Sequence, residues 1–292
     1  YGGFFFAPSI RFPYNEPMPE LPEVETTLRG IAPSMLGRTI CGITVRNPSL
    51  RWPVTDEVYQ ADGKTIWRCS RRAKYLLVEV GHSEPIEGGL LLHLGMSGSL
   101  RVCDADEAPR LHDHVDIVLD NGRCIRLHDP RRFGAFLWWN PPADEHRLLR
   151  DLGPEPLGDQ FSGDYLWKKS RGRRGPVKNF IMDGKIVVGV GNIYANEALF
   201  MAGIHPARAA GRISAARYSA LAAAIRDVLS RAIRRGGTTL RDFLNSEGSP
   251  GYFAQELLVY DRESQPCFRC SEPVRRKVIG QRSSFYCLRC QR

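Results

Sequence analysis

No apolar run in the 292 residues approaches the roughly 20 that a membrane-crossing helix needs. The first seventeen residues, YGGFFFAPSIRFPYNEP, hold an aromatic cluster but neither a basic start nor a small-residue cleavage site. They therefore do not read as a secretory signal. No internal repeat and no long low-complexity segment interrupts the chain. A third glycine is missing from the turn Gly189-x-Gly191-Asn192, and no βαβ pattern surrounds it, so it is not a dinucleotide fingerprint. Acidic residues are the scarcer charge: 32 Asp and Glu face 41 Lys and Arg, a net charge of +9.

Hydrophobic content is 42% and charged content 25%, ordinary values for a globular chain long enough for about two domains. The excess positive charge is local. Cys267–Arg292 holds seven basic residues against one acid, and KKSRGRRGPVK at 168–178 forms a second cluster. Two such patches are either solvated surface or the electrostatic footprint of a nucleic-acid binder.

The eight cysteines fall into two sets. Cys41, Cys69, Cys103 and Cys124 are scattered and are expected to be core thiols. Cys267, Cys270, Cys287 and Cys290 read C-x2-C, sixteen residues, C-x2-C, a spacing that suits one tetrahedral zinc. Disulfides are the alternative, but nothing at the N-terminus favours an oxidising compartment. A closed four-cysteine site leaves no open position for water, so the metal is structural.

Residues 22–36 read as a helix, with Pro22 in its first turn and Val24, Leu28, Ile31 and Met35 on one face; Gly30 and Pro33 predict an early end or a kink. From 39 to about 140 short runs rich in Val, Ile, Leu and aromatics predict a β-sandwich or barrel, with an Asn-Gly hairpin in LDNGRCIRL. A Pro-, Gly- and Asp-rich connection at 141–164 follows, then a helical region whose clearest helix is SAARYSALAAAIRDVLSRAIRRGG. The expected units are an extension at 1–17, a sandwich domain at 18–140, a linker at 141–164, a helical domain at 165–261 and a zinc finger at 262–292.

Several short stretches hold candidate chemistry. Asn192 could cap a helix whose Gly-rich entry binds phosphate, or the turn is plain helix entry. Lys74 heads an apolar strand and could reach a phosphate or snorkel. HLGMSGSL exposes Met96, and DPRRFGAF presents Arg131, Arg132 and Phe133. Apolar wedges beside arginine suit insertion into a base stack, although a core Met and a core Phe are the plainer reading.

MPELPEVE (18–25), RRAKYLL (71–77), HLGMSGSL (93–100), DPRRFG (129–134), GVGNIYANE (189–197), PGYFAQEL (250–257) and the four-cysteine finger occur here in one order. Together they resemble the bacterial formamidopyrimidine-DNA glycosylases, repair enzymes for oxidised purines, over residues 18–292. The resemblance implies an α+β multidomain protein. A β-sandwich with a leading helix precedes a helix–two-turn–helix domain and a zinc finger that grips DNA. It implies Pro19 as nucleophile and Glu20 as its acid/base partner. Lys74, Asn192 and Arg282 would contact phosphates around the lesion, with His112 touching DNA nearby. Met96, Arg131 and Phe133 would fill the gap left by the extruded base, and residues 245–253 would cover that base. The partner would be duplex DNA carrying oxidised purines or abasic sites, bound by a monomer in the bacterial cytoplasm, at the nucleoid, with no membrane partner. An endonuclease VIII-like enzyme for oxidised pyrimidines, or a binder that does not cut, are the alternatives.

Position 19 carries a condition. A proline with a free α-nitrogen is a nucleophilic secondary amine, whereas behind Met18 it is a tertiary amide. The expectation is that Met18 is the true start and that residues 1–17 lie outside the mature enzyme.

Overall fold

In the computed structural model, residues 18–83, 85–237 and 256–292 are described. Helix α1 (Leu21–Met35) leads into eight strands: β1 (Ile40–Val45), β2 (Thr65–Arg72), β3 (Tyr75–Gly81), β4 (Gly88–His93), β5 (Ser99–Asp104), β6 (Asp113–Leu119), β7 (Arg123–His128) and β8 (Ala135–Trp139). They form two antiparallel sheets, ordered β1-β6-β7-β5 and β2-β3-β4-β8. The predicted β-sandwich with a leading helix is therefore present.

The second sheet shows why its strands read as nearly continuous apolar runs rather than alternating ones. Leu76, Val78, Leu90, Leu92 and Phe136 face the sandwich core. Their neighbours Leu77, Leu91, Ala135, Leu137 and Trp139 pack on the other face against Leu149. A sheet covered on both faces has no use for a polar alternate.

The Asn-Gly hairpin joins β6 to β7, but with a three-residue loop. Val118 pairs with Cys124, and Gly122 takes φ +76°. That is the three-residue hairpin with a left-handed glycine, not the two-residue turn.

Helix α1 runs through Pro33 to Met35 without the predicted early end. Pro33 removes one N–H and crowds only the preceding turn, so the last residues continue the helix, and the Leu36 N–H still bonds Ala32 O at 3.0 Å. Two of the four scattered cysteines depart from expectation. Cys103 and Cys124 are buried, whereas Cys69 is intermediate and Cys41 is exposed. Cys41 lies on edge strand β1 at a register shift between Ile40 and Gly42, where it has no partner on β6.

The helical region holds α2 (Gly163–Ser170), α3 (Val177–Met182), α4 (Asn192–Met201) and α5 (Ala215–Arg234). Ser214 caps α5, accepting from Arg217 N–H, and Leu221, Ile225, Val228, Leu229 and Ala232 are buried along one face as their spacing requires. Helix α1 packs on α5 as well as on β2 and β5, so one continuous core joins sandwich and helices.

The chain ends in a hairpin, β9 (Arg275–Ile279) and β10 (Arg282–Tyr286), flanked by the two cysteine pairs. Phe200 of α4 enters the small core of this module beside Val259, Val274 and Phe285. Lys178 of α3 is fully buried, its Nζ donating to Ser283 O (2.8 Å) and Ser284 Oγ (2.6 Å). It therefore belongs to the interior, not to the solvated basic patch its sequence neighbours suggest. Burial lowers its pKa to about 7.

Candidate active site

Glu20 ties the start of α1 to the start of α4. Its N–H donates to Glu23 Oε2 at 2.9 Å. Its own carboxylate accepts from Gly191 N–H at 2.8 Å, Ile193 N–H at 2.9 Å and, more weakly, Tyr194 N–H at 3.5 Å. These are the donors a helix start leaves without partners. A carboxylate from another domain has taken the place a phosphate would need. The predicted cap is corrected accordingly: Gly191 occupies the cap position and Asn192 is the first helical residue.

The two glycines of this turn answer to the same contact. A Cβ at Gly191 would overlap the Glu20 carboxyl, and one at Gly189 (φ +77°) would lie 2.6 Å from Leu21 Cβ. They are there to let α1 approach. Glu23, also buried, accepts from Tyr194 Oη at 2.6 Å.

Burial is the largest influence on Glu20 and raises its pKa from 4.5 to about 7; nearby Lys74 opposes this and Glu23 adds to it. The carboxyl can thus both hold and release a proton near neutrality, as general acid/base work requires. Burial likewise lowers the Lys74 pKa, against the pull of Glu20 and Glu23.

A stability test follows from the sign of the Glu20 shift. The folded pKa lies above the unfolded one, so between pH 4.5 and 7 the folded chain holds a proton that the unfolded chain has released. Stability from this group is therefore lost as pH rises through that window, by about 3 kcal/mol in full. Glu20→Gln does not titrate. Its unfolding free energy relative to wild type, measured by urea denaturation, should improve by about that amount between pH 4 and pH 8. A pH-independent difference would contradict the shift.

Glu20, Lys74, Asn192, Tyr260 and Arg282 line a cavity of about 290 Å³, closed on other sides by Asn179, Met182 and Gly280. Burial raises the Tyr260 pKa to about 12, which keeps its hydroxyl protonated. The Asn192 Oδ1 atom is buried and has no protein partner. An orphan acceptor of this kind costs about 1–3 kcal/mol unless something that enters the cavity, or a turn of the amide, satisfies it.

A second, more open cavity of about 720 Å³ is lined by Leu50, Arg51, Met96, Arg131 and Phe133. Met18 and Arg282 line both spaces, so the two adjoin there. Neither Met96 nor Phe133 is a core residue: Met96 is half-buried and Phe133 is 42% exposed. The Arg131 guanidinium lies 5.2 Å from the centre of the Phe133 ring. Asp129 holds their loop, accepting from Gly134 N–H (2.7 Å) and from Ser97 Oγ (3.1 Å) of the Met96 loop.

His112 lies outside both cavities. It takes φ +74°, and its carbonyl accepts from Asp129 N–H at 3.0 Å, next to the Arg131 loop. Pro19 is buried between Met18 and Glu20, and it is Met18 that lines both cavities. The loop expected to cover the base, 245–253, lies outside the described residues.

Sequence reasoning missed Glu23, Tyr194, Tyr260 and Asn179. Tyr194 carries no local signal, because its partner Glu23 lies 171 residues away, whereas Glu23 also accepts from Glu20 N–H within one helical turn, a capping pattern the sequence shows. The repeated small residue at 189 and 191 was the one available hint of a close approach.

The four candidate metal ligands do come together. The Sγ atoms of Cys267, Cys270, Cys287 and Cys290 all lie within 4.8 Å of one another, with three of the separations 3.9, 3.4 and 3.5 Å. Tetrahedral Zn–S bonds of about 2.3 Å require S–S separations of about 3.8 Å. The cluster fits one structural zinc, which fixes the hairpin that carries Arg282.

Known proteins share this arrangement. Residues 18–136 match the formamidopyrimidine-DNA glycosylase N-terminal domain, 152–244 its H2TH domain, and 264–292 the zinc finger found in FPG and IleRS. The formamidopyrimidine-DNA glycosylase of Alcanivorax borkumensis is 58% identical over 94% of this chain and 100% of its own length. That of Alteromonas mediterranea is 56% identical over the same shares. Among solved structures, the MutM (Fpg) protein of Thermus thermophilus superposes with a TM-score of 0.83 at 36% identity, over 94% of this chain and 98% of the other. Lactococcus lactis Fpg in complex with abasic-site DNA gives 0.84 at 29% identity, over 94% and 99%. These models and relatives together cover most of the chain, and it belongs to the formamidopyrimidine-DNA glycosylase family.

Proposed function

We propose that this chain excises oxidised purines from duplex DNA and then cuts the abasic strand, using Pro19 as nucleophile. The observation that carries the reading is the junction of the two cavities. A buried, near-neutral Glu20 adjoins position 19 in one, and Met96, Arg131 and Phe133 line the other. A nucleotide turned out of the helix would put its sugar in the first space. The second space supplies what replaces it in the stack. Extrusion costs a few kcal/mol, and filling the gap offsets it.

The chemistry begins with a neutral amine. An α-amine with a pKa of about 7.7–8.0 is roughly one-tenth neutral at pH 7, whereas an ordinary lysine is under about 0.1% neutral. The Pro19 nitrogen attacks C1′ of the sugar, the glycosidic bond breaks, and the base departs with a proton. Glu20 protonates the opening ring oxygen. The resulting iminium acidifies C2′, and loss of that proton expels the 3′ phosphate; the conjugated iminium then acidifies C4′, and loss of the C4′ proton expels the 5′ phosphate. Water hydrolyses the iminium and returns the amine.

Lys74, Asn192 and Arg282 hold phosphates beside the sugar, and His112 contacts the backbone further out. The units serving these roles are the sandwich at 18–140, the linker at 141–164, the helical domain at 165–261 and the finger at 262–292. A monomer suffices, since every proposed group comes from one chain. The site of action is the bacterial nucleoid; among the described residues no helix is long and apolar enough to cross a membrane.

One observation favours a second reading under one condition. Pro19 follows Met18 in a peptide bond, and an amide nitrogen cannot attack. A protein that keeps residues before Pro19 would bind damaged DNA without cutting it. Substrate class is tested by competition between duplexes carrying 8-oxoguanine opposite cytosine and thymine glycol. We expect faster excision of the purine lesion; preference for thymine glycol would move the protein to the pyrimidine-repair class.

A further inference from the structure

The turn that presents Lys74 is strained, and its restraint comes from the linker. Strands β2 and β3 are joined through Ala73 and Lys74, with Arg72 paired to Tyr75. Ala73 takes φ +56°, the left-handed region that a Cβ disfavours. Its N–H donates to Glu155 Oε1 at 2.7 Å. The same carboxylate accepts from Arg71 Nη1 at 2.7 Å and Arg72 Nη1 at 3.0 Å.

The two arginines extend the clasp. Arg71 donates to Ala73 O at 2.9 Å and to Glu25 of α1 at 2.9 Å. Arg72 reaches the carbonyls of Leu152 and Gly153, at 3.1 and 2.7 Å. The linker side is itself tied to the helical domain, because Gly153 N–H bonds Gly184 O at 2.8 Å and Val188 N–H bonds Pro154 O at 3.2 Å. Val188 immediately precedes the glycine turn that receives Glu20. Apart from the Arg71 bonds to Glu25 and to Ala73 O, the donors named here converge on one linker carboxylate or on backbone beside it. The next residue is Lys74, whose side chain lines the catalytic cavity.

We propose that Glu155 is a positioning residue: by holding Ala73 in the left-handed conformation it aims Lys74 into the catalytic cavity, and it locks the sandwich to the helical domain while doing so. This rests on the reading of Lys74 as a phosphate contact. Glu155 touches no DNA. Its contribution to binding and cutting passes through Lys74, so loss of either residue should be felt as the same loss.

The test is a double-mutant cycle in the zinc-loaded protein, with a duplex carrying a tetrahydrofuran abasic analogue as the probe. Lys74→Ala should weaken binding about tenfold and make the slope of log affinity against log salt shallower by about 0.9, the share of one phosphate. Glu155→Ala should do nearly the same. In the Lys74→Ala background, Glu155→Ala should cost less than twofold further, because coupled residues are not additive. Ala73→Gly, which adopts the turn without a Cβ, should recover part of the Glu155→Ala loss. Glu155→Gln keeps an acceptor for Ala73 N–H and serves if the alanine variant does not fold. It should fall between wild type and Lys74→Ala.

A merely structural Glu155 would lower the melting temperature and add its full penalty on top of Lys74→Ala. That additivity, or a wild-type salt slope in either Glu155 variant, would overturn the proposal. A Lys74→Ala protein that binds like wild type would instead sink the reading of Lys74 itself.

Discussion

Stripping the metal with a chelator, or replacing Cys287 by Ser, abolishes productive DNA binding, with an affinity loss of roughly 100-fold or more. A structural zinc contributes on the order of 10–16 kcal/mol to the fold of a small finger, and this module has little else. Among the described residues its fully buried apolar core is six residues, two of them the ligands Cys267 and Cys287. Without the ion the four sulfurs take up protons and lose the bonds that tie them together, and the β9–β10 hairpin loses its base. Three consequences reach the site. Arg282, common to both cavities, is no longer held. Ile279 and Gly280 no longer wall the catalytic space. Lys178 loses the acceptors Ser283 O and Ser284 Oγ. The sandwich and helices should keep their unfolding transition, because the core they share is distinct from that of the finger. Binding to an abasic duplex before and after chelation, with zinc added back, checks this. Undiminished affinity in metal-free protein would contradict it.

Much of the fold was legible because periodicity reports burial. Leu221, Ile225, Val228, Leu229 and Ala232 sit at helical spacing and are buried together on α5. The cysteine spacing was equally direct, since each C-x2-C knuckle is a local geometric unit. The site divides differently. Its motifs stood out by resemblance, but their wiring did not. Glu20 meets Gly191 across 171 residues, and Glu155 meets Ala73 across 82. No local window contains such a pair. The Gly189-x-Gly191 turn therefore suggested an open anion site when its N–H groups were already taken. Lys178 looked like one more surface cation for the same reason: its acceptors lie 105 and 106 residues away. Linker composition suggested a connection, yet proline and glycine content could not reveal that one carboxylate within it holds the β2–β3 turn.

The second large effect is all-or-none and concerns position 19. A chain that begins at Pro19 should excise the lesion, cut the strand and form an iminium with abasic DNA. A chain that keeps even Met18 should bind the same duplex and do none of these. The difference is electronic, because amide resonance removes the nitrogen lone pair that must attack C1′. It is also spatial, since Met18 occupies the junction where both cavities meet. Pro19→Gly in the trimmed chain should lose most of the trapping, though a terminal glycine amine retains some reactivity. Intact-mass measurement establishes which chain is under assay.

The central claim is then tested by borohydride reduction of the trimmed protein on abasic duplex DNA, followed by proteolysis and mass mapping of the covalent adduct. The account predicts a reduced sugar fragment on the nitrogen of Pro19. An adduct on Lys74 or another lysine with Pro19 unmodified, or full trapping by protein that retains Met18, would contradict it.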